Sequence, residues 1–195
     1  DSFEVQAIRW ASQTPDGKHV VFQALGHIWV RNTETGEQKR LTRQDEHFEF
    51  YPVISPDGEH VLYTTWHDQE LGSVRIARLN GRGTPRTLTN EPGHYAEPAF
   101  SADGAQVLFR KFEGGYLLSP LWSMNPGIYH VPADGESEPQ HISKSGSMPH
   151  FSVDGERVFF SRSTGELGNE RMLSSIRLDG EDQRDHLKGA KATQF

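Results

Sequence analysis

Residues 51–58 read Tyr-Pro-Val-Ile-Ser-Pro-Asp-Gly, and a short apolar run, Val61–Tyr63, follows them directly. Two further runs, Val74–Ala77 and Arg86–Thr89, complete four β-like segments separated by turn residues. An Asp-Gly pair between two such runs is a strong signal for a β-hairpin, because glycine adopts a positive φ without steric cost. The stretch 51–89 therefore predicts a four-stranded antiparallel unit.

Variants of this unit occur four times along the chain. Asp-Gly pairs begin at Asp16, Asp57, Asp103 and Asp154, so that successive units are 41, 46 and 51 residues apart. No segment has a helical period near 3.6 over ten or more residues. Four strands per repeat at this spacing predict an all-β fold, a β-propeller of four-stranded antiparallel blades. A β-sandwich would show strands at similar spacing but no four-strand superperiod.

The repeats span about residues 3–42, 47–89, 95–143 and 147–188 of a single domain that covers 1–195. Residues 192–195 align with 97–100 and predict the beginning of a fifth blade. Because propellers usually have four to eight blades, we expect either part of a larger ring or an unusual closure of four blades. Polarity rises toward the last run of each repeat, which predicts a buried first strand and a last strand at the rim.

Composition excludes several classes of function. The net charge is −7 and no run of Lys and Arg occurs, so we expect no nucleic-acid partner. No apolar run approaches the ~20 residues that span a bilayer, so we expect no membrane insertion. The chain has no cysteine, which rules out disulfides and thiolate metal sites.

The repeat has a family resemblance. Residues 55–58, Ser-Pro-Asp-Gly, with the closing pair Leu88–Thr89, resemble the TolB-type repeat, a WD40-like propeller repeat. Residues 14–17 with Leu41–Thr42 match nearly as well, whereas the third and fourth repeats lack the proline. The resemblance covers essentially the whole chain and implies a TolB-like propeller.

A narrower resemblance rests on stretches that a generic blade does not require, namely 21–26, 47–52, 68–74, 92–95, 114–116 and 119–122. They look like the N-terminal propeller of large metal-dependent amidohydrolases, in which the propeller precedes a TIM-barrel domain that hydrolyses C–N bonds. This implies a hydrolase parent, a periplasmic or secreted location and a C-terminal amidohydrolase domain as partner. The barrel of that family begins with a His-x-His pair, and none of the ten histidines here has a His two positions away. We therefore assign no catalytic residue, metal ligand or cofactor site to this chain, and expect the divalent metal only in the hydrolase domain.

The candidate binding residues lie in the longer connections. Connections between second and third strands, and between blades, are predicted to share one face of the propeller, which long loops mark as functional. Tyr116 and Trp122 lie in one such loop, which we expect either to dock on a partner domain or to fold back on its own blade.

Four polar residues, His47, Glu49, His94 and Glu97, are predicted just before first strands, where loops between blades approach the central channel. Such side chains could bind a divalent cation or cap a substrate, although isolated His and Glu in loops are more often solvated or paired structurally.

Several functions remain open. The first is a non-catalytic propeller module of a larger amidohydrolase-like hydrolase, acting in domain docking or substrate gating. The second is a free-standing TolB-like propeller that binds proteins at the cell envelope. A third is a propeller lyase or a peptidase accessory acting on sugars or peptides. An incomplete ring exposes blade faces, which also predicts homo-oligomers.

Overall fold

A computed structural model describes residues 5, 7–112, 124–164 and 170–190. Within these ranges the chain forms only β-strands and turns, and no helix there could cross a membrane. The strands, in chain order, are β1 (Arg9–Gln13), β2 (His19–Ala24), β3 (His27–Asn32), β4 (Gln38–Arg40), β5 (Phe48–Ile54), β6 (His60–Trp66), β7 (Val74–Arg78), β8 (Arg86–Thr87), β9 (Tyr95–Phe100), β10 (Gln106–Lys111), β11 (Gly127–Pro132), β12 (Gln140–Ser143), β13 (Ser147–Phe151), β14 (Arg157–Thr164), β15 (Glu170–Arg177) and β16 (Arg184–Ala190).

The strands form four antiparallel sheets of four, each in chain order. Blade 1 is β1–β4, blade 2 is β5–β8, blade 3 is β9–β12 and blade 4 is β13–β16. The predicted all-β propeller blades are thereby confirmed. The predicted start of a fifth blade at 192–195 lies outside the described residues.

The Asp-Gly turns join first to second strands as predicted. In blade 2 the N–H of Gly58 donates to the carbonyl of Ser55 at 2.9 Å, and Gly58 has a φ of 75°. The Asp57 carboxylate accepts hydrogen bonds from the Ser55 hydroxyl and from the backbone N–H of Glu59. Equivalent bonds form in the other three blades. The repeated Asp is therefore a turn-stabilising residue.

The core lies between blades rather than within them. Three apolar clusters join blade 1 to 2, blade 2 to 3 and blade 3 to 4, and are centred on Tyr63, Phe109 and Phe160 respectively. First strands pack on first strands, β1 on β5, β5 on β9 and β9 on β13, and so they lie around the axis of the arc.

One expectation about the strands was wrong. The second strands, not the first, are the most buried, since β6 is mostly buried and β1 mostly exposed. In blades 2 and 3 the second strand is covered by neighbours on both edges and both faces, whereas a first strand borders the axis. The last run of the fourth repeat forms β16, of seven residues, which is held by polar pairs such as Lys188–Glu170.

Candidate functional site

Each first strand is interrupted by a β-bulge at the same point. In each bulge two residues lie opposite one residue of the second strand, and the first of the two has a positive φ. These four are Trp10 (50°), Tyr51 (53°), Glu97 (53°) and Met148 (52°), and we call them the bulge row. A bulge changes the direction of the side chains around it, and bulges are enriched near functional sites in proteins. The bulge row is therefore a candidate site beside the axis.

The bulge row is continuous from blade to blade. The rings of Trp10 and Tyr51 have centroids 4.2 Å apart. Burial and the nearby Glu97 carboxylate raise the pKa of Tyr51. The Glu97 carboxylate in turn accepts a hydrogen bond from the backbone N–H of Met148. Trp10 and Met148, at the two ends, are each 37% exposed.

Glu49 lies within β5 rather than before it, and its side chain is fully buried. Its carboxylate accepts hydrogen bonds from the Ile28 N–H at 2.9 Å, from the Thr42 hydroxyl, and from the Gln44 amide at 3.0 Å. Ile28 lies in β3, so this carboxylate binds blade 2 to blade 1.

Glu97 also lies within a first strand, β9. Besides its bond from the Met148 N–H, its carboxylate accepts one from the Arg110 guanidinium at 3.4 Å. Because Met148 belongs to blade 4, Glu97 joins blade 3 to blade 4.

His47 precedes β5 as predicted and lies beside Arg75, whose guanidinium donates to Nε2 at 2.9 Å. Burial and the Arg75 charge lower the pKa of His47, which favours the neutral ring. With Nε2 as acceptor, Nδ1 carries the proton, and this buried nitrogen has no hydrogen-bond acceptor within the described ranges. His47 lines a pocket of about 310 Å³ together with His27, Trp66 and His67.

His94 lies among aromatic rings, 5.3 Å from the Trp66 ring and 4.8 Å from the Phe112 ring between centroids. Burial and the charge of Arg110 lower the pKa of its imidazole. His47 and Glu49 thus share the junction of blades 1 and 2, where the Gln44 amide donates to both the His47 carbonyl and the Glu49 carboxylate. His94 lies between blades 2 and 3, and Glu97 joins blades 3 and 4. Tyr116 and Trp122 lie outside the described residues.

Connections on the predicted loop face do meet. The N–H of Gly72, in the β6–β7 connection, donates to the carbonyl of Gly93 in the connection from blade 2 to blade 3, at 2.8 Å. The N–H of Phe112 donates to the carbonyl of His94 in the same region. These bonds place the two kinds of connection on one face, which we call the loop face.

Within the described ranges, one group of three potential metal ligands has donor atoms within 4.8 Å of one another: Asp57, Glu59 and His60. It lies at the opposite edge, on the Asp-Gly turn of blade 2, and Asp57 already accepts two hydrogen bonds of that turn. His47, Glu49, His94 and Glu97 form no such group.

Sequence reasoning missed the bulge row. A signal was present, because Pro52, Pro98 and Pro149 each follow a bulge residue, three positions before the hydroxyl residue of the Asp-Gly turn. Proline has no N–H and suits a position outside the hydrogen-bond ladder.

No family model matches the sequence, and no curated protein matches it. Among solved structures, the chain is similar to an oligogalacturonate lyase in complex with manganese (TM-score 0.74, 12% identity, covering 95% of this chain and 55% of that one). It is also similar to an oligogalacturonate lyase from Vibrio parahaemolyticus (0.72, 11%, 96% and 55%) and to TolB from Acinetobacter baumannii (0.62, 19%, 92% and 43%). The chain spans about half the length of these structures, and it has a TolB-like β-propeller fold.

Proposed function

We propose that this chain is the non-catalytic β-propeller module of a larger amidohydrolase-like hydrolase, and that it docks on the catalytic domain or controls substrate access. The proposal rests on one observation, namely that the Glu49 carboxylate is buried and already has its hydrogen-bond partners within the propeller. A carboxylate that is fully buried and accepts three hydrogen bonds serves structure and is closed to a reacting ligand.

The other polar candidates support the same interpretation. Glu97 is bonded to Arg110 and to blade 4, while His47 is bonded to Arg75. The amidohydrolase parent rests on the sequence resemblance of the stretches between the strands. On this proposal the propeller works in the periplasm or outside the cell, and the divalent metal belongs to the hydrolase domain.

A free-standing TolB-like propeller that binds proteins at the cell envelope is the second candidate. The bulge row favours it, because Trp10 and Met148 present an aromatic ring and a thioether, each 37% exposed, beside the axis. Aromatic residues and Met are enriched at protein interfaces.

The natural reading frame separates the two candidates. The chain and the polypeptide encoded after it would be expressed separately and mixed in a sedimentation experiment. The first proposal expects a downstream domain with a His-x-His pair that forms a one-to-one complex with this chain. An early stop codon or the absence of a complex would contradict it.

The non-catalytic part has its own test. We expect the isolated chain to hydrolyse no amide substrate in the presence of Zn²⁺ or Mn²⁺. Turnover above the buffer rate that is lost in the Glu97→Gln variant would overturn the proposal.

A further inference from the structure

A groove lined by cationic side chains lies between blades 3 and 4. Its volume is about 490 Å³, and the part of its wall that the structure describes contains no Asp or Glu. Five cationic residues line it: Arg110, Lys111, Lys144, Arg162 and Arg171. Such a concentration of positive charge is unexpected in a chain whose net charge is −7.

Three of the five cations have carboxylate partners that are not part of the groove wall. The N···O distances are 3.4 Å for Arg110 with Glu97, 3.0 Å for Lys111 with Glu91 and 2.7 Å for Arg162 with Asp185. These pairs hold the side chains in place and neutralise part of the charge.

The remaining two cations, Lys144 and Arg171, have no carboxylate partner within the described ranges. Lys144 is exposed in the connection between β12 and β13. Arg171, in β15, donates one hydrogen bond to the Ser163 hydroxyl at 2.6 Å, which leaves other guanidinium N–H groups available. The groove therefore carries an excess of positive charge that favours an anionic ligand.

The backbone that carries this wall is fixed by packing. Gly146 has a φ of 136°, and a Cβ there would lie 2.6 Å from the Phe160 ring and 2.7 Å from Ile128. The connection can therefore approach the core only with glycine at this position. Lys144 and Ser145 are consequently held at the groove by a close contact of the backbone with the core.

The chemistry of the wall matches oxyanions. A guanidinium presents planar donors that fit a carboxylate or phosphate group, and an ammonium adds a compact charge. Hydroxyl groups of Ser145 and Ser163 add neutral donors. The volume falls within the range of small-molecule sites, about 300–1,000 Å³.

We propose that this groove binds a small ligand that carries at least two oxyanion groups, either carboxylates or phosphates. Lys144 and Arg171 bind these groups directly, and the paired cations Arg110, Lys111 and Arg162 shape the positive potential around them. The site combines second and third strands of blade 4 with the connection from blade 3, so it depends on the packing of two blades.

An NMR titration of the ¹⁵N-labelled 195-residue chain tests the proposal, with citrate as the carboxylate probe, pyrophosphate as the phosphate probe and sucrose as the neutral control. We expect saturable amide shifts confined to residues 144–147, 161–163 and 171, which weaken as NaCl is added. A response to one probe alone identifies the preferred oxyanion. No saturable shift at these residues with either anion would overturn the proposal.

A charge-matched pair of variants tests the assignment of residues. In Lys144→Gln/Arg171→Gln we expect Kd to rise about tenfold or more, because charged hydrogen bonds are lost. The control Lys18→Gln/Arg82→Gln removes the same charge from exposed positions in distant turns and should leave Kd within about twofold. Equal weakening in both variants, with unchanged circular dichroism, would show a general charge effect and would overturn the assignment.

Discussion

At the residue scale, buried polar groups hold neighbouring blades together. The Glu49 carboxylate receives hydrogen bonds from a backbone N–H, a hydroxyl and an amide, and so it satisfies donors of blade 1 from a strand of blade 2. A buried donor that loses its acceptor costs more free energy than the bond itself contributes. This makes Glu49 a sensitive position for the stability of the blade 1–blade 2 junction.

We predict that Glu49→Gln lowers the free energy of unfolding by about 1–3 kcal/mol, because one acceptor oxygen becomes an NH₂ group facing a donor. Urea denaturation followed by circular dichroism measures it. Glu46→Gln, three positions earlier at an exposed site, is the control and should change the value by less than ~0.5 kcal/mol. Equal stability of the two variants would refute the structural role.

The turn aspartates make the stability of the fold depend on pH. Hydrogen bonds from the neighbouring hydroxyl and then from a backbone N–H lower the pKa of Asp16, Asp57, Asp103 and Asp154. A carboxyl with a lowered folded-state pKa stabilises the fold above its unfolded pKa, about 3.9, and loses this contribution as pH falls through the folded value.

We therefore predict that thermal stability falls as pH decreases below about 4, and that the fall is shallower in the Asp→Asn variant of all four turns. Asparagine retains a capping carbonyl but does not titrate. Melting temperatures measured from pH 2 to 6 provide the test. Since Asp45, Asp179, Asp182 and Asp185 also have lowered pKa values, some acid dependence should persist. Identical slopes for the two proteins would contradict the prediction.

At the scale of the strand, the bulges decide how the first strands face the axis. Each bulge lies opposite a single aromatic residue of the second strand: Phe22, Tyr63, Phe109 and Phe160. The left-handed backbone at the bulge is uncommon for a residue with a side chain and is unfavourable for a β-branched one.

We predict that Met148→Val lowers the free energy of unfolding by about 1–2 kcal/mol, whereas Met148→Gly, which suits the positive φ, changes it by less than ~1 kcal/mol. Chemical denaturation measures both variants. Leu187→Val, at an exposed site in β16, provides a strand control expected to be neutral within ~0.5 kcal/mol. A Met148→Val protein as stable as the parent would mean that the bulge is not strained.

At the scale of the whole molecule, four blades share three inter-blade cores. The equivalents of Phe22 in the other blades, Tyr63, Phe109 and Phe160, are at most 1% exposed because a preceding blade covers them. Phe22 itself is partly exposed, since no blade covers it within the described part of the chain. The same holds on the other face of blade 4. Phe159 there is partly exposed, whereas its equivalents in blades 2 and 3, Leu62 and Leu108, are completely buried.

These uncovered blade faces lead to a prediction of self-association. We expect sedimentation velocity to show concentration-dependent dimers or larger species, and Phe22→Ser to shift the protein toward the monomer. Val153→Ser, at a turn residue that is 96% exposed but lies away from the blade faces, should leave the distribution unchanged. A parent chain that stays monomeric at all concentrations would contradict the prediction.

The blade repeat and its turns were predictable from the sequence, because a hairpin depends on neighbouring residues such as Ser55, Asp57 and Gly58. Strand lengths were less predictable. The β8 strand of the best-matching repeat has two residues, whereas β16 is long because cross-strand polar pairs support it, and such pairs leave no apolar pattern.

What the sequence alone determined is the local part of this protein: the hairpin turns and the four-strand repeat. Only the tertiary structure decided which partners the polar side chains have. It buried Glu49 against blade 1, aligned the bulge row and brought Arg110, Lys144 and Arg171 into one groove from segments 27 or more residues apart. Hydrogen bonding and charge act between atoms that are close in space, so residues distant in the chain acquire these roles only when the blades pack.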